Sequence, residues 1–227
     1  MNYFYALIIG IPLGVIVGLL FQHMVQRLIT YKCNQRHRQV PDIDMGTKFR
    51  VVMALVFMLM FSVLFLGMNI VPAIIACVIM TIAVTCTYVD SKLRIIPNEA
   101  ILAFLVLGIA FRISKDGFRS LLGSLVALAI IIAVFGGCAI FLKIKKGTPG
   151  VGAGDLKMAM VMAISVGFPG VLYSLGALAA SMVIYCLAGI WTRMLRMDSY
   201  FPMCLHLSVG LFAGLIASEL SLLFQMF

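Results

Sequence analysis

Long apolar stretches alternate with short polar ones along the whole chain. A helix needs roughly 20 apolar residues to cross the hydrocarbon core of a bilayer. Stretches of that kind fall at 3–22, 50–68, 70–89, 97–113, 120–142, 156–168, 169–191 and 203–226. The sixth is too short to span comfortably, and Phe168-Pro169-Gly170 parts it from the seventh. The pattern predicts an all-α fold: a polytopic transmembrane helical bundle with about seven to eight hydrophobic segments, forming a single membrane-embedded domain over 1–227. Residues 23–49, the longest polar stretch, are expected as a basic loop within that domain. No internal repeat and no low-complexity tract stands out.

Composition strengthens the membrane assignment. Hydrophobic residues make up 63% of the 227 and charged residues 11%, and the mean hydropathy is +1.15. A soluble domain carries about 25% charged residues and could not hide so much apolar surface from water. Twenty glycines suit a bundle whose helices approach closely. Met1-Asn2-Tyr3-Phe4 lacks a basic stretch, so the N-terminal segment is expected to be the first span and not a cleaved signal.

Charge supplies an orientation. The formal net charge is +9, which on a soluble protein would suggest nucleic acid as a partner. Here the cations sit in the polar breaks. Arg27, Lys32, Arg36, Arg38, Lys48 and Arg50 lie in the first, Lys92 and Arg94 in the third, Lys143, Lys145, Lys146 and Lys157 in the fifth, and Arg193 and Arg196 in the seventh. Strict alternation puts 14 of the 17 Lys and Arg on one side and leaves Arg112, Lys115 and Arg119 on the other. The positive-inside rule makes the rich side cytoplasmic. Both termini are then outside, and the location is a cell inner membrane. Tyr3, Trp191 and Tyr200 suit interfacial anchoring. Nucleic acid is not an expected partner; membrane lipid is.

The six cysteines, Cys33, Cys77, Cys86, Cys138, Cys186 and Cys204, include no CxxC pair, and His23, His37 and His206 show no ligand spacing. No disulfide framework and no metal site is expected.

Two of the eight acidic residues stand out, because an acid beside hydrocarbon is costly and calls for a reason. Asp90 closes the third apolar segment in Tyr88-Val89-Asp90-Ser91-Lys92-Leu93-Arg94-Ile95-Ile96-Pro97-Asn98, with Pro97 well placed to open the next helix. Asp155 follows the glycine-rich run from Gly147 and opens the sixth segment, Gly152-Ala153-Gly154-Asp155-Leu156-Lys157. Taken singly, Asp90 reads as a boundary carboxylate solvated among headgroups, and Asp155 as a helix N-cap. Taken as a pair on the cytoplasmic side, they suit a dyad sharing one proton. One carboxylate would activate water while the other polarises a carbonyl. Glu219, inside the last segment, is assigned no role.

Gly152-Ala153-Gly154-Asp155 is a GxGD motif, and Lys157 extends it to GxGDxK. Together with Asp90 and Ile96-Pro97-Asn98, 65 residues separating the acids, it resembles the type IV prepilin and preflagellin peptidases. The stretch Gly14 to Arg27 resembles their first helix only in part, since Leu19 and Gln22 stand where Ser and Asn are usual. The resemblance implies an aspartyl endopeptidase with Asp90 and Asp155 catalytic and Pro97, Asn98, Gly152, Gly154 and Lys157 as supporting motif residues. It implies a substrate class, prepilins or pseudopilins, from which a short basic leader is cut at the cytoplasmic face. Proteolysis would need no cofactor. S-adenosylmethionine would be required only if the N-methyltransferase activity of many members is retained. The first polar stretch lacks the two CxxC pairs found in many bacterial members, having only Cys33, so zinc is not expected. Oligomeric state is open. Other classes are an ion- or proton-coupled transporter, against which both acids lie at one membrane end, and a non-catalytic pilus or secretion assembly subunit. A presenilin-like protease shares GxGD but has a Tyr-Asp dipeptide where this chain has Tyr88-Val89-Asp90.

Overall fold

The structure is a computed structural model and describes residues 2–37, 39–40, 46–147, 152–192 and 203–224. All regular structure among them is helical. A short α1 (Asn2–Tyr5) and a π-helical turn (Ala6–Gly10) lead into α2 (Ile11–Gln35). Then come α3 (Gly46–Gly67), α4 (Ile70–Leu93), α5 (Asn98–Asp116), α6 (Ser120–Lys146), α7 (Ala153–Val166), α8 (Gly170–Trp191) and α9 (Met203–Phe224). Residues 225 and 226 lie outside the described residues; otherwise the eight apolar stretches fall on these helices, the first running over α1, the π-helical turn and α2. Five of them are long and apolar enough to cross a membrane: Ile8–Gln35, Gly46–Gly67, Ile70–Leu93, Ser120–Lys145 and Gly170–Trp191. α5 has the length, but Glu99, Arg112 and Lys115 interrupt its apolarity. α7, with 14 residues, reaches only about 21 Å at 1.5 Å per residue.

The structure corrects the sequence reading at 23–49. Helix α2 runs through Gln35, so the first half of the expected loop is helical. Phe21, Val25, Ile29 and Cys33 recur every fourth residue and are fully buried, while His23, Gln26, Arg27, Tyr31 and Asn34 on the other face are exposed. That is an amphipathic stripe. A count of apolar residues alone overlooks it. Of the remainder of that stretch, residues 38 and 41–45 lie outside the described residues.

The helices form two compact units, Met1–Pro97 and Asn98–Phe227. Lipid is as apolar as leucine, so helices in a membrane associate through close packing and polar contacts. In the first unit the close packing comes from Gly10, at the end of the π-helical turn, and Gly14 and Gly18, each about one turn further along α2. A methyl group on Gly14 would stand 2.5 Å from Met58 Cα, and one on Gly18 would meet Ala54 Cα. The backbones of α2 and α3 therefore touch. Toward the C-terminal end of α2 an aromatic layer takes over: Phe21 lies 5.5 Å from Phe57 and 6.0 Å from Tyr88, ring centroid to centroid. Phe49 lies 5.8 Å from Tyr88. This layer ties the C-terminal end of α4 to α2 and α3.

In the second unit, contacts fix helix direction. Asn98, the first residue of α5, meets Lys157 in the first turns of α7. Arg112, near the end of α5, meets Val166 at the end of α7. The two helices are thus parallel, and Gly108 packs directly on Ser165 between these points. α6 returns antiparallel, with Ser124 Oγ donating to Ile164 O at 2.8 Å. α8 and α9 are joined by Gly210 and Gly214 against Ser174 and by Ser181 Oγ, 2.9 Å from His206 Nδ1.

Candidate functional site

Asp90 occupies the last turn of α4, and that helix stops just beyond it. Arg94 adopts the left-handed conformation (φ 54°, ψ 41°) and its N–H donates to the Asp90 carbonyl at 2.8 Å. The preceding Tyr88 is held in the aromatic layer, with Lys92 Nζ 5.8 Å from its ring centroid. Val89 is fully buried, and Asp90 itself is only 5% exposed. The position is therefore no solvated boundary. A buried carboxylate at a helix C-terminus sits among carbonyl oxygens at the negative end of the helix dipole, a costly arrangement for a residue with no further task.

Asp155 sits in the opposite electrostatic setting. Gly152 is the N-cap of α7 in extended conformation (φ −68°, ψ 139°), which makes Asp155 the third residue of that helix. An acid there meets the unpaired N–H groups and positive end of the helix. Its half-buried carboxylate folds back over the helix start: Oδ2 lies 2.8 Å from where a Cβ on residue 152 would be. Any side chain at 152 would displace the carboxylate. Gly152 is needed for space and not for its backbone angles, a role that the sequence alone did not disclose. Gly154 lies half-buried in the first turn.

The structure brings two of the supporting residues together. Lys157 Nζ donates to Asn98 Oδ1 at 3.1 Å. This bond joins the Ile-Pro-Asn stretch to GxGDxK at the N-terminal ends of α5 and α7, and so gives Lys157 a partner in the other motif. Pro97 is buried immediately before α5, which begins one residue later than the sequence suggested. Asp90 and Asp155 belong to different units, Met1–Pro97 and Asn98–Phe227. No group of three or more His, Cys, Asp or Glu side chains converges among the described residues.

Arg112 matters more than its sequence context indicated. It is buried, with Nη1 donating to Val166 O and Nη2 to Ser120 O, both at 3.3 Å. Asp116 Oδ2 lies 3.3 Å from Nη1. Ser120 Oγ donates to Arg112 O at 3.0 Å. Gly167 (φ 69°) presses its backbone on the guanidinium, and a Cβ there would lie 2.8 Å from Arg112 Cζ. The residue clasps the ends of α5, α6 and α7 at the end of the unit opposite Asp155. Its signal in the sequence is a cation inside an apolar segment with an acid four residues on.

Several of the helices are long and apolar enough to cross a membrane, and each of the two motifs carries an acid at a helix end. The chain belongs to the type IV leader peptidase family, whose sequence model matches residues 74–218, more than half of its length. It is accordingly a membrane peptidase. No curated protein and no solved structure matches the chain.

Proposed function

We propose that the protein is an aspartyl endopeptidase that removes the short basic leader of a type IV prepilin or pseudopilin at the cytoplasmic face of the membrane, with Asp90 and Asp155 as its catalytic pair. The observation that carries this reading is the Lys157–Asn98 bond. It sets Asn98, the last residue of the Ile-Pro-Asn motif, against Lys157 of GxGDxK, so that the two motifs meet within the second unit.

The helix ends divide the labour. The N-terminus of α7 favours a negative charge on Asp155, and the C-terminus of α4 opposes one on Asp90. Asp155 takes the proton from the attacking water. Asp90 donates its proton to the oxygen of the scissile carbonyl as the tetrahedral intermediate forms. As the intermediate collapses and the C–N bond breaks, Asp155 gives its proton to the leaving amine and a hydroxyl of the gem-diol returns one to Asp90, which restores the pair. No metal is needed, since base and acid come from the same pair. Methylation of the new N-terminus from S-adenosylmethionine is a separate reaction whose residues are not part of this proposal.

The test is the purified full chain, reconstituted in lipid, with a full-length prepilin carrying a basic leader. Mass spectrometry of the products is expected to show a single cut between leader and hydrophobic helix, at the same rate with and without a chelator. An intact prepilin, or a cut restored only by added zinc, would overturn the reading. A mass increase of one methyl group on the mature chain, seen only with added S-adenosylmethionine, would report the second activity.

A further inference from the structure

The second half of α2 carries a shallow, open groove of about 480 Å³ along one face of that single helix, lined by His23, Gln26, Arg27, Thr30, Tyr31 and Asn34. These side chains lie on one face of the helix, opposite the buried stripe of Phe21, Val25 and Ile29, and no acid is among them. Arg27 makes no ion pair or hydrogen bond with any described residue. By contrast the nearby Lys32 is buried and donates to Gln35 Oε1 at 2.9 Å. Toward the N-terminus the groove passes into an apolar surface, where Leu20 and Met24 are exposed and share a second hollow with His23 and Arg27. The apolar helix begins at Ile8. At 1.5 Å per residue Arg27 lies about 29 Å along it, which matches the roughly 30 Å of hydrocarbon that a spanning helix crosses. The cation therefore sits where acyl chains end and headgroups begin.

We infer that this groove is a seat for one anionic phospholipid. The phosphate pairs with Arg27, the donors of Gln26, Thr30, Tyr31 and Asn34 meet the remaining headgroup oxygens, and the acyl chains run along Leu20 and Met24. Charge complementarity selects an anionic lipid over a zwitterionic one, whose own cation would lie against Arg27. It also disfavours a basic peptide in the groove. The inference concerns the membrane-facing surface of α2 and does not depend on the peptidase reading.

Native mass spectrometry of the delipidated full chain, titrated with phosphatidylglycerol or phosphatidylcholine, tests it without any activity assay. The first phosphatidylglycerol is expected to bind about fivefold tighter than the first phosphatidylcholine, the factor that one cation beside an anionic headgroup supplies. Arg27→Gln, on an exposed face, is expected to abolish that preference. Arg27→Lys is expected to keep it, and so is Lys145→Gln, which removes a cation elsewhere. Equal binding of the two lipids to the unaltered chain, or an undiminished preference in Arg27→Gln, would overturn the site. Displacement of the bound lipid by millimolar inorganic phosphate would show a general anion site, and displacement by a basic peptide would show a peptide groove. Either result would overturn the lipid assignment.

Discussion

At the residue scale, the GxGD sequence acquires a physical reading. Asp155 needs the start of α7 for its charge and needs residue 152 to be without a side chain for its position. Gly152→Ala leaves the backbone angles accessible but puts a methyl group where the carboxylate folds back. It is expected to reduce kcat about tenfold or more, equivalent to about 1.4 kcal/mol of transition-state stabilisation, with thermal stability in detergent unchanged. Gly136→Ala, where nothing lies within 4 Å, serves as the comparison and is expected to have unaltered kcat. Unaltered kcat in Gly152→Ala would show that the observed position of the carboxylate is irrelevant to the reaction. The places of the two acids at helix ends were legible in the sequence, because each lies beside a break in an apolar run. The pairing of Lys157 with Asn98 was not, for nothing beside Lys157 in the sequence marks the residue it meets. Its partner lies 59 residues away, and only the parallel packing of α5 and α7 brings it near.

At the element scale, α7 is a short helix held at both ends. Asn98 meets it near its start, and Arg112 takes the Val166 carbonyl at its finish. Arg112→Met would leave the carbonyls of Val166 and Ser120 without their donor and Asp116 without its cation. A loss of about 2–4 kcal/mol is expected from unmaking a buried charged network of this kind, read as a lowered Tm in detergent. Gly167→Ala is expected to destabilise too, since the position has φ 69° and the guanidinium occupies the space of a Cβ. The double variant is expected to fall short of the sum, because both changes unmake one contact. Strict additivity would mean that the clasp is not a unit. The helix positions were readable from apolar runs, and so was the break at Phe168-Pro169-Gly170, because both follow from local composition. The extension of α2 to Gln35 was missed because its signal is periodicity among polar residues, with Phe21, Val25, Ile29 and Cys33 on one face. The clasp was missed because Asp116 marks only a local pair, and the backbone carbonyls of Val166 and Ser120 that Arg112 bonds leave no mark in a sequence.

At the scale of the whole molecule, the arrangement in the membrane rests on the distribution of cations, 14 of 17 in alternate polar breaks. In a cysteine-free variant, single cysteines at positions 35, 94, 146 and 196 are expected to react with an impermeant reagent only from the cytoplasm, and one at position 116 only from outside. Labelling of positions 94 and 146 from opposite sides would place the segments bearing the two acids at opposite faces and refute a shared site.

The central claim is that Asp90 and Asp155 perform the cleavage, each through exchange of a proton that an amide cannot replace. Its most direct test is prepilin cleavage by Asp90→Asn and Asp155→Asn in lipid, beside the unaltered protein, with helix content and monodispersity verified for all three. The account predicts no mature product from either variant while both remain folded. Full cleavage by either one would contradict it.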